Sequence, residues 1–349
     1  MEVERPPRPT RVSAATVARA AGVSAAAVSY ALHGLPGVSE SVRKHILDTA
    51  DALGFVRPEL HPTSHRIIGL ILSDIANPFY PEISVAFTEA ARRRGYEVFL
   101  AHTKDDEESV AEALDAMLDR HVDGVAMTVA RSDTAEAVRR LRRAHVPLVQ
   151  ISRSFSGVDA DFVGIDDDAA GRAMMRHVLE HRPDQIGIVV GPRTSSASAA
   201  REAAFIDEAR AAGIAIDPRR RVNAPLTIAG GRMAAEHLLG LERPPTFIVC
   251  GSDVLALGAM SLALAMGLDV PGNVAVSGFD GIELAATPMI DLTGVVQPRR
   301  TMASRAVELL IDRVERTTHH PTRLTVPFSL RIGRSCGCQT TPTDKRNSP

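Results

Sequence analysis

At 349 residues the chain is too long for a typical single core and implies two or three domains. Hydrophobic residues make up 45% and aromatics only 4%, so the core must be aliphatic, and a formal net charge of −2 requires any nucleic-acid contact to be local. Three cysteines, Cys250, Cys336 and Cys338, give no disulfide framework and fit a reducing cytoplasm, while the lack of any run of about 18 apolar residues argues against a membrane partner.

Residues 1–10 and 339–349 are polar and proline-bearing and are expected to be flexible tails. The stretch "MEVERPPRPTRVS" has no apolar core of a secretory signal, so a cytoplasmic location is expected. Residues 11–56 form the first domain. Within "VARAAGVSAAAVSYALHG", alanine favours helix, yet Gly22 interrupts it. The pattern predicts a helix over 16–21 with Ser13 as its cap, a tight turn at Gly22, and a second helix over 25–32 capped by Ser24. A third helix follows over 40–53, capped by Ser39 and ended by Gly54. Val17, Ala21, Val23, Val28 and Leu32 can close a small core, which makes a helix-turn-helix or an ordinary helical hairpin.

Residues 57–66, "RPELHPTSHR", carry two prolines and read as a linker. From Ile67 onward, short apolar strand candidates ("IIGLIL", "YEVFLA", "GVAMTV", "PLVQIS", "QIGIVVG", "TFIVCG", "VAVSGF") alternate with helical segments such as 81–94, 168–181, 198–212 and 253–266. Such alternation indicates parallel sheets covered on both faces. Its length suits two doubly wound lobes with a ligand crevice between them, at the carboxyl ends of the strands.

"VARAAGVSAAAVSYALHG" with "VSESVRKHILDTADALGF", then "IIGLILSDIANPFYPEI", "RHVDGVAM", "IGIVVGP", "AAREAAF", "CGSDVLALGAMSLALAMGLDVPGNVAVSGFD" and "RSCG", resembles the LacI/GalR family of bacterial transcriptional regulators over residues 12 to about 338. The resemblance implies an all-α helix-turn-helix headpiece (11–56), a linker or hinge (57–66), and a periplasmic-binding-protein-like α/β core of two doubly wound parallel-sheet lobes (67–338). The first lobe would comprise about 67–165 and 296–324, the second about 166–295 and 325–338. It further implies a homodimer on double-stranded DNA with a near-palindromic operator, and control by a small molecule such as a sugar or its derivative.

By resemblance, Ser24, Ala25, Ala26, Ser29 and Tyr30 face the operator. Alanines stand at the two positions that usually read bases, so Ala25 and Ala26 can only pack on thymine methyls, and Tyr30 is left as the polar reader. Arg11, His33, Arg43, Lys44 and Ser24 are the phosphate-contact candidates. Residues 1–66 hold eight Lys/Arg against six Asp/Glu, a net of about +2, so shape and methyl contacts are expected to dominate. Relatives often place a minor-groove hinge helix at the linker; this one is about a turn shorter and holds Pro62, which leaves a hinge helix open. The effector wall carried over is Phe79, Tyr80, Thr128, Ser152, Ser195, Arg201, Ser252 and Asp280. Arg and Asp can bind ring hydroxyls bidentately, and an aromatic face can stack on a pyranose. Ser152 replaces an aspartate frequent in relatives, so the effector's identity does not transfer. The helix over 253–265, aliphatic on several faces, is a candidate dimer contact.

Enzyme readings are weaker. "HVLEH" (177–181) matches the H-x-x-E-H zinc-protease pattern, but no third ligand is evident, and Cys336-Gly-Cys338 lacks partner cysteines for a zinc knuckle. No metal, cofactor or catalytic residue is therefore expected. "DDD" at 166–168 reads as the end of a strand and a helix cap. No G-x-S-x-G or P-loop appears. The two surviving classes are an effector-responsive DNA-binding repressor and, as the alternative, a solute-binding protein without regulatory DNA contact.

Overall fold

The computed structural model describes residues 14–32, 37–53, 55, 65–103, 106–129, 135–154, 160–315 and 320–338. The chain divides into two units, Met1–His65 and Arg66–Pro349. The expectations for Arg11, Ser13, His33, Gly54, Pro62 and both tails lie outside the described residues, as does the side chain of Ser29.

The first unit holds α1 (Ala14–Ala21), α2 (Ala25–Leu32) and α3 (Glu40–Ala52). Val17, Ala18, Ala21, Val28, Ala31, Ile46, Ala50 and Phe55 form its core, with Val23 and Val42 packed alongside. Gly22, at φ +66°, turns the chain between α1 and α2, and the Val23 amide donates to the Ala18 carbonyl at 3.1 Å. That six-residue closure with a left-handed glycine is a Schellman stop, and Val23 supplies its apolar contact. The interruption seen in the sequence is thus a turn that lets two short helices share one small core.

The second unit has two lobes. The first contains β1 (Ile67–Leu72), α4 (Phe79–Arg93), β2 (Glu97–His102), α5 (Glu107–Asp119), β3 (Gly124–Met127), α6 (Ala135–Arg143), β4 (Leu148–Ile151) and β5 (Asp161–Gly164). The second contains α7 (Asp167–Glu180), β6 (Ile186–Val190), α8 (Ser196–Ala211), β7 (Arg221–Asn223), α9 (Ile228–Leu239), β8 (Phe247–Cys250), α10 (Asp253–Ala265), β9 (Ala275–Asp280) and β10 (Thr293–Val296). The chain then returns through α11 (Arg299–Glu315) and β11 (Arg323–Thr325) to the first lobe, and ends with β12 (Ser329–Arg331) in the second.

The two sheets are six-stranded, in the orders β11-β5-β4-β3-β1-β2 and β12-β10-β9-β8-β6-β7. All pairings are parallel except β10 with β12. The central strands are buried along their whole length, as strands covered on both faces must be. Strands β5, β7, β10, β11 and β12 were not among the sequence candidates. They are three or four residues long and each opens on a polar or charged residue, so no apolar run stands out.

An ion pair between a half-buried arginine and a buried carboxylate secures the return of the chain. Arg313 of α11 donates Nε and Nη2 to Asp161 of β5 at 2.7 and 2.9 Å, and the Thr322 amide adds a third bond at 2.6 Å. Helix α10 packs tightly on α9, where a Cβ at Gly258 would lie 2.3 Å from the Ile228 carbonyl oxygen. Part of the aliphatic surface of α10 is consumed inside its own lobe, where Val254, Leu255, Ala256, Ala259 and Ala263 are buried; Leu257, Met260 and Leu262 are half-buried, and Leu264, Ala265 and the following Met266 are exposed. Those half-buried and exposed side chains are the apolar surface this helix leaves for the expected dimer contact. Among the described residues, no helix is long and apolar enough to cross a membrane.

Candidate functional site

In the first unit, Ser24 caps α2 by accepting from the Ala27 amide at 3.1 Å, so its hydroxyl is engaged in holding the helix start. Ala25, Ala26 and Tyr30 are exposed on α2, with 43% of Tyr30 accessible. The Tyr30 ring lies over Gly37, where a Cβ would sit 2.9 Å from it. Arg43, a phosphate candidate, is half-buried and donates Nη1 to the Tyr30 and Ala31 carbonyls at 3.1 and 3.2 Å. It caps the end of α2 and locks it to α3. Lys44 is exposed and pairs with Asp48 one turn on, at 2.9 Å.

In the second unit, the crevice between the lobes is a narrow cavity of about 20 Å³ lined by Asn77, Phe79, Tyr80, Ser152, Arg153, Ser195, Ala197, Ser198, Arg201, Leu226 and Asp280. Its walls come from the carboxyl ends of strands and the starts of helices. Asn77 accepts from the Phe79 amide at 3.1 Å and starts α4; Ser195 accepts from the Ser198 amide at 3.4 Å and starts α8. Phe79 and Tyr80 meet edge to face with centroids 5.3 Å apart, and the Arg153 guanidinium lies 5.7 Å from the Tyr80 ring.

Arg201 is the centre of the polar wall. It is buried on α8, donates Nε to Asp167 at 2.7 Å, and donates Nη1 to the Gly251 carbonyl at 2.7 Å and to Asp280 at 3.2 Å. Its guanidinium stacks on Phe279, 3.7 Å from the centroid. Asp280 ends β9 at φ +113° and also accepts from Gln297 Nε2 at 2.8 Å. Burial pushes the Asp280 carboxyl up to about 6 against the opposing pull of Arg201. Burial, and then the charge of Asp280, push neighbouring Asp253 further, to about 8. Two carboxyls sharing a dry site do not both ionise readily, so a neutral Asp253 leaves the negative charge on Asp280, beside the guanidinium.

Six of the eight effector residues carried over from the resemblance therefore line the crevice: Phe79, Tyr80, Ser152, Ser195, Arg201 and Asp280. Thr128 and Ser252 do not. The Thr128 hydroxyl accepts from the Ser73 amide at 3.0 Å, tying β3 to β1, and Ser252 caps α10 through the Leu255 amide at 3.4 Å. Sequence reasoning did not single out Asn77, Arg153, Ser198 or Asp167. Asn77 stood in the "NPFY" stretch and Arg153 beside Ser152, but nothing local distinguished them from turn residues. Of the three aspartates at 166–168, Asp166 is the cap of α7, accepting from the Ala169 amide at 2.9 Å, and Asp167 turns to Arg201. Outside the crevice, His177 and His181 meet Cys336 and Cys338, partners that spacing along the chain did not suggest.

A family model described as the periplasmic binding proteins and sugar binding domain of the LacI family matches residues 65–334, and one for bacterial regulatory proteins of the lacI family matches residues 12–58. The chain is 33% identical to the HTH-type transcriptional regulator MalR of Streptomyces coelicolor, over 86% of this chain and 89% of that one. It is 28% identical to the repressor CytR of Escherichia coli, again over 86% and 89%. Among solved structures, a complex of the transcriptional regulator CelR with cellobiose superposes with a TM-score of 0.71 at 26% identity, covering 93% of this chain and all of that one. The lac repressor dimer bound to operator and the anti-inducer ONPF shares the fold at TM-score 0.70 and 20% identity, over 94% and 99%.

Proposed function

Because the chain belongs to the LacI family of bacterial regulatory proteins, we propose that this DNA-binding transcriptional regulator is a cytoplasmic, homodimeric repressor whose hold on a near-palindromic operator is reset by a sugar or sugar derivative enclosed between its lobes. One observation carries the reading: a buried arginine–carboxylate wall faces an aromatic wall in a chain that also bears a capped, solvent-facing second helix in a helix-turn-helix.

The chemistry favours a polyhydroxylated ligand. Arg201 and Asp280 present a fork and a carboxylate that can each take two ring hydroxyls, and Ser195, Ser198 and Asn77 add short polar arms. Tyr80 offers a ring face for the apolar side of a pyranose. The crevice encloses only about 20 Å³, far below the roughly 300–1,000 Å³ of ligand pockets, so a sugar enters as the lobes part. The cellobiose bound by CelR supports the same class. The crevice is assigned a binding role and no reaction.

Switching follows from how the lobes are joined. The chain passes between them after β5, after β10 and after β11. Arg299, on α11 of the first lobe, donates to the carbonyls of Asp280 and Gly281 in the second at 2.6 and 2.7 Å, and pairs with Glu82 of α4 at 2.7 Å. A ligand that holds Asp280 thus bears on a contact shared by both lobes. Full reversal of a two-state balance requires about 5.5 kcal/mol of differential binding. Val85, three residues after Glu82 on α4, and Leu284, next to Glu283 in the second lobe, leave exposed apolar side chains flanking the Glu283 amide–Glu82 contact, and these are the surface offered to a second copy.

The test is a gel shift of the full chain on its own upstream DNA, with cellobiose, maltose or a nucleoside added in turn. Release by a sugar supports the proposal; release by the nucleoside alone overturns the sugar class. Tight sugar binding with no sequence-specific shift at any salt concentration would establish the solute-binding alternative. Sedimentation of wild type against Val85→Glu reads the dimer, which the variant is expected to dissociate.

A further inference from the structure

Helix α7 ends on two imidazoles one turn apart, His177 and His181, and the chain's final described turn brings Cys336 and Cys338 against them. One donor atom from each of these four residues lies within 4.8 Å of every other. The two Nε2 atoms are 3.4 Å apart; Cys338 Sγ is 3.5 Å from Nε2 of His181 and 4.0 Å from that of His177. Tetrahedral zinc, with Zn–N of 2.0–2.1 Å and Zn–S near 2.3 Å, needs about 3.4 Å between nitrogens and about 3.5–3.6 Å between nitrogen and sulfur. We propose that His177, His181, Cys336 and Cys338 form a structural Zn(II) site that fastens the C-terminal turn to α7.

The surroundings are built for it. His177 directs Nδ1 to the Glu180 carboxylate at 3.5 Å, which leaves Nε2 facing the cluster. The Thr293 hydroxyl donates to Cys336 Sγ at 3.0 Å, an interaction that favours thiolate. The turn carrying the cysteines is itself anchored: Ser335 Oγ donates to the Val276 carbonyl at 2.6 Å and accepts from the Thr293 amide at 2.9 Å. Cys336 and His177 are buried, while Cys338 and His181 are half-buried and give the ion a way in. Four protein donors close the coordination shell, the mark of a structural rather than catalytic zinc, and two thiolates with two imidazoles select zinc over harder ions. The clip spans 157 residues between His181 and Cys338, a contact that a free chain closes only at an entropic cost.

The full-length chain, reduced and stripped by chelator, is titrated with Zn(II) against a chromogenic competitor, and with Co(II) as a spectroscopic probe. Expected are one equivalent per chain bound with sub-micromolar affinity, an intense tetrahedral cobalt spectrum with a thiolate charge-transfer band, and a higher melting temperature that chelator reverses. Affinity falls on acidification, since every ligand must be deprotonated. Cys338→Ser and His181→Gln, both at half-buried positions, each weaken binding by at least about 100-fold. Their metal-free circular dichroism is expected to match that of the metal-free wild type. A reduced wild type that takes up no zinc below micromolar concentration, an octahedral or thiolate-free cobalt spectrum, zinc binding that survives both substitutions, or a Cys336–Cys338 disulfide that persists in reductant overturns the proposal.

Discussion

The helix-turn-helix unit and the crevice solve opposite problems. The first keeps a small aliphatic core around Val17, Val28 and Ile46 and turns its chemistry outward: Ala25, Ala26 and Tyr30 are exposed. The crevice draws its charges inward, burying Arg201 against Asp167 and Asp280. A surface that reads DNA can leave its groups to water until contact. A pocket that holds a small ligand must keep polar groups dry, paired and pre-aimed, since reorganising them would consume the ligand's binding energy. Substitutions at the crevice should therefore affect stability and function together, and those on α2 function more than stability.

The sharpest break of that contrast is Arg201→Ala. It strands Asp167 and Asp280 without their cation, and removing one partner of a buried pair costs about 3–5 kcal/mol. Denaturant unfolding should show this loss, and the gel shift should lose its response to effector while operator binding by the remaining folded protein persists. Arg201→Ala with normal stability would mean that the crevice is not held by its charges.

Tyr30→Ala tests the outward-facing side. Loss of a base-reading group is worth about 1–3 kcal/mol of discrimination, so specific operator affinity should fall about 5- to 150-fold while nonspecific binding and melting temperature hold. Equal losses on specific and random DNA would show that Tyr30 merely packs on Gly37. Gly22→Ala addresses the turn beneath both helices. At φ +66° a Cβ costs about 1–2 kcal/mol although nothing crowds it, so the headpiece should open more readily while effector binding by the second unit is unchanged. Hydrogen exchange of the α1 and α2 amides would register the difference.

The smallest effect separates the two regions by pH. The Asp280 carboxyl lies at about 6, raised by burial, so it takes up a proton as pH falls through 6. If effector hydroxyls bind its ionised form, effector affinity weakens on acidification, approaching tenfold per pH unit below 6, and proton uptake precedes release of ligand. For folding the sign is opposite: a carboxyl raised in the native state binds protons more readily folded than unfolded, so this group's own contribution to stability declines as pH rises from about 4 to 6. Calorimetric titration at pH 5, 6 and 7 separates the two; a flat affinity would mean that Asp280 does not touch the ligand.

Local pattern in the sequence was enough to place the helix-turn-helix, because a Gly22-Val23-Ser24 turn and its caps act over a few residues. It also revealed the two-lobed α/β body, because buried parallel strands need continuous apolar runs. The resemblance carried Arg201 and Asp280 to the same wall. What it could not supply was how each polar side chain is committed. Arg43, read as a phosphate contact, also holds the end of α2 through two carbonyls bonded to its Nη1. Thr128 looked like a wall residue until Ser73 engaged its hydroxyl.

By itself, then, the amino-acid order determined the elements, their layers and the kind of protein they build, since propensity, capping and hydrophobic period are short-range. Only the tertiary fold decided which of three adjacent aspartates meets Arg201, and that a histidine pair dismissed for want of ligands faces two cysteines 155 and more residues away. Those outcomes depend on strand order and crossovers, which set distances in space that no spacing along the chain encodes.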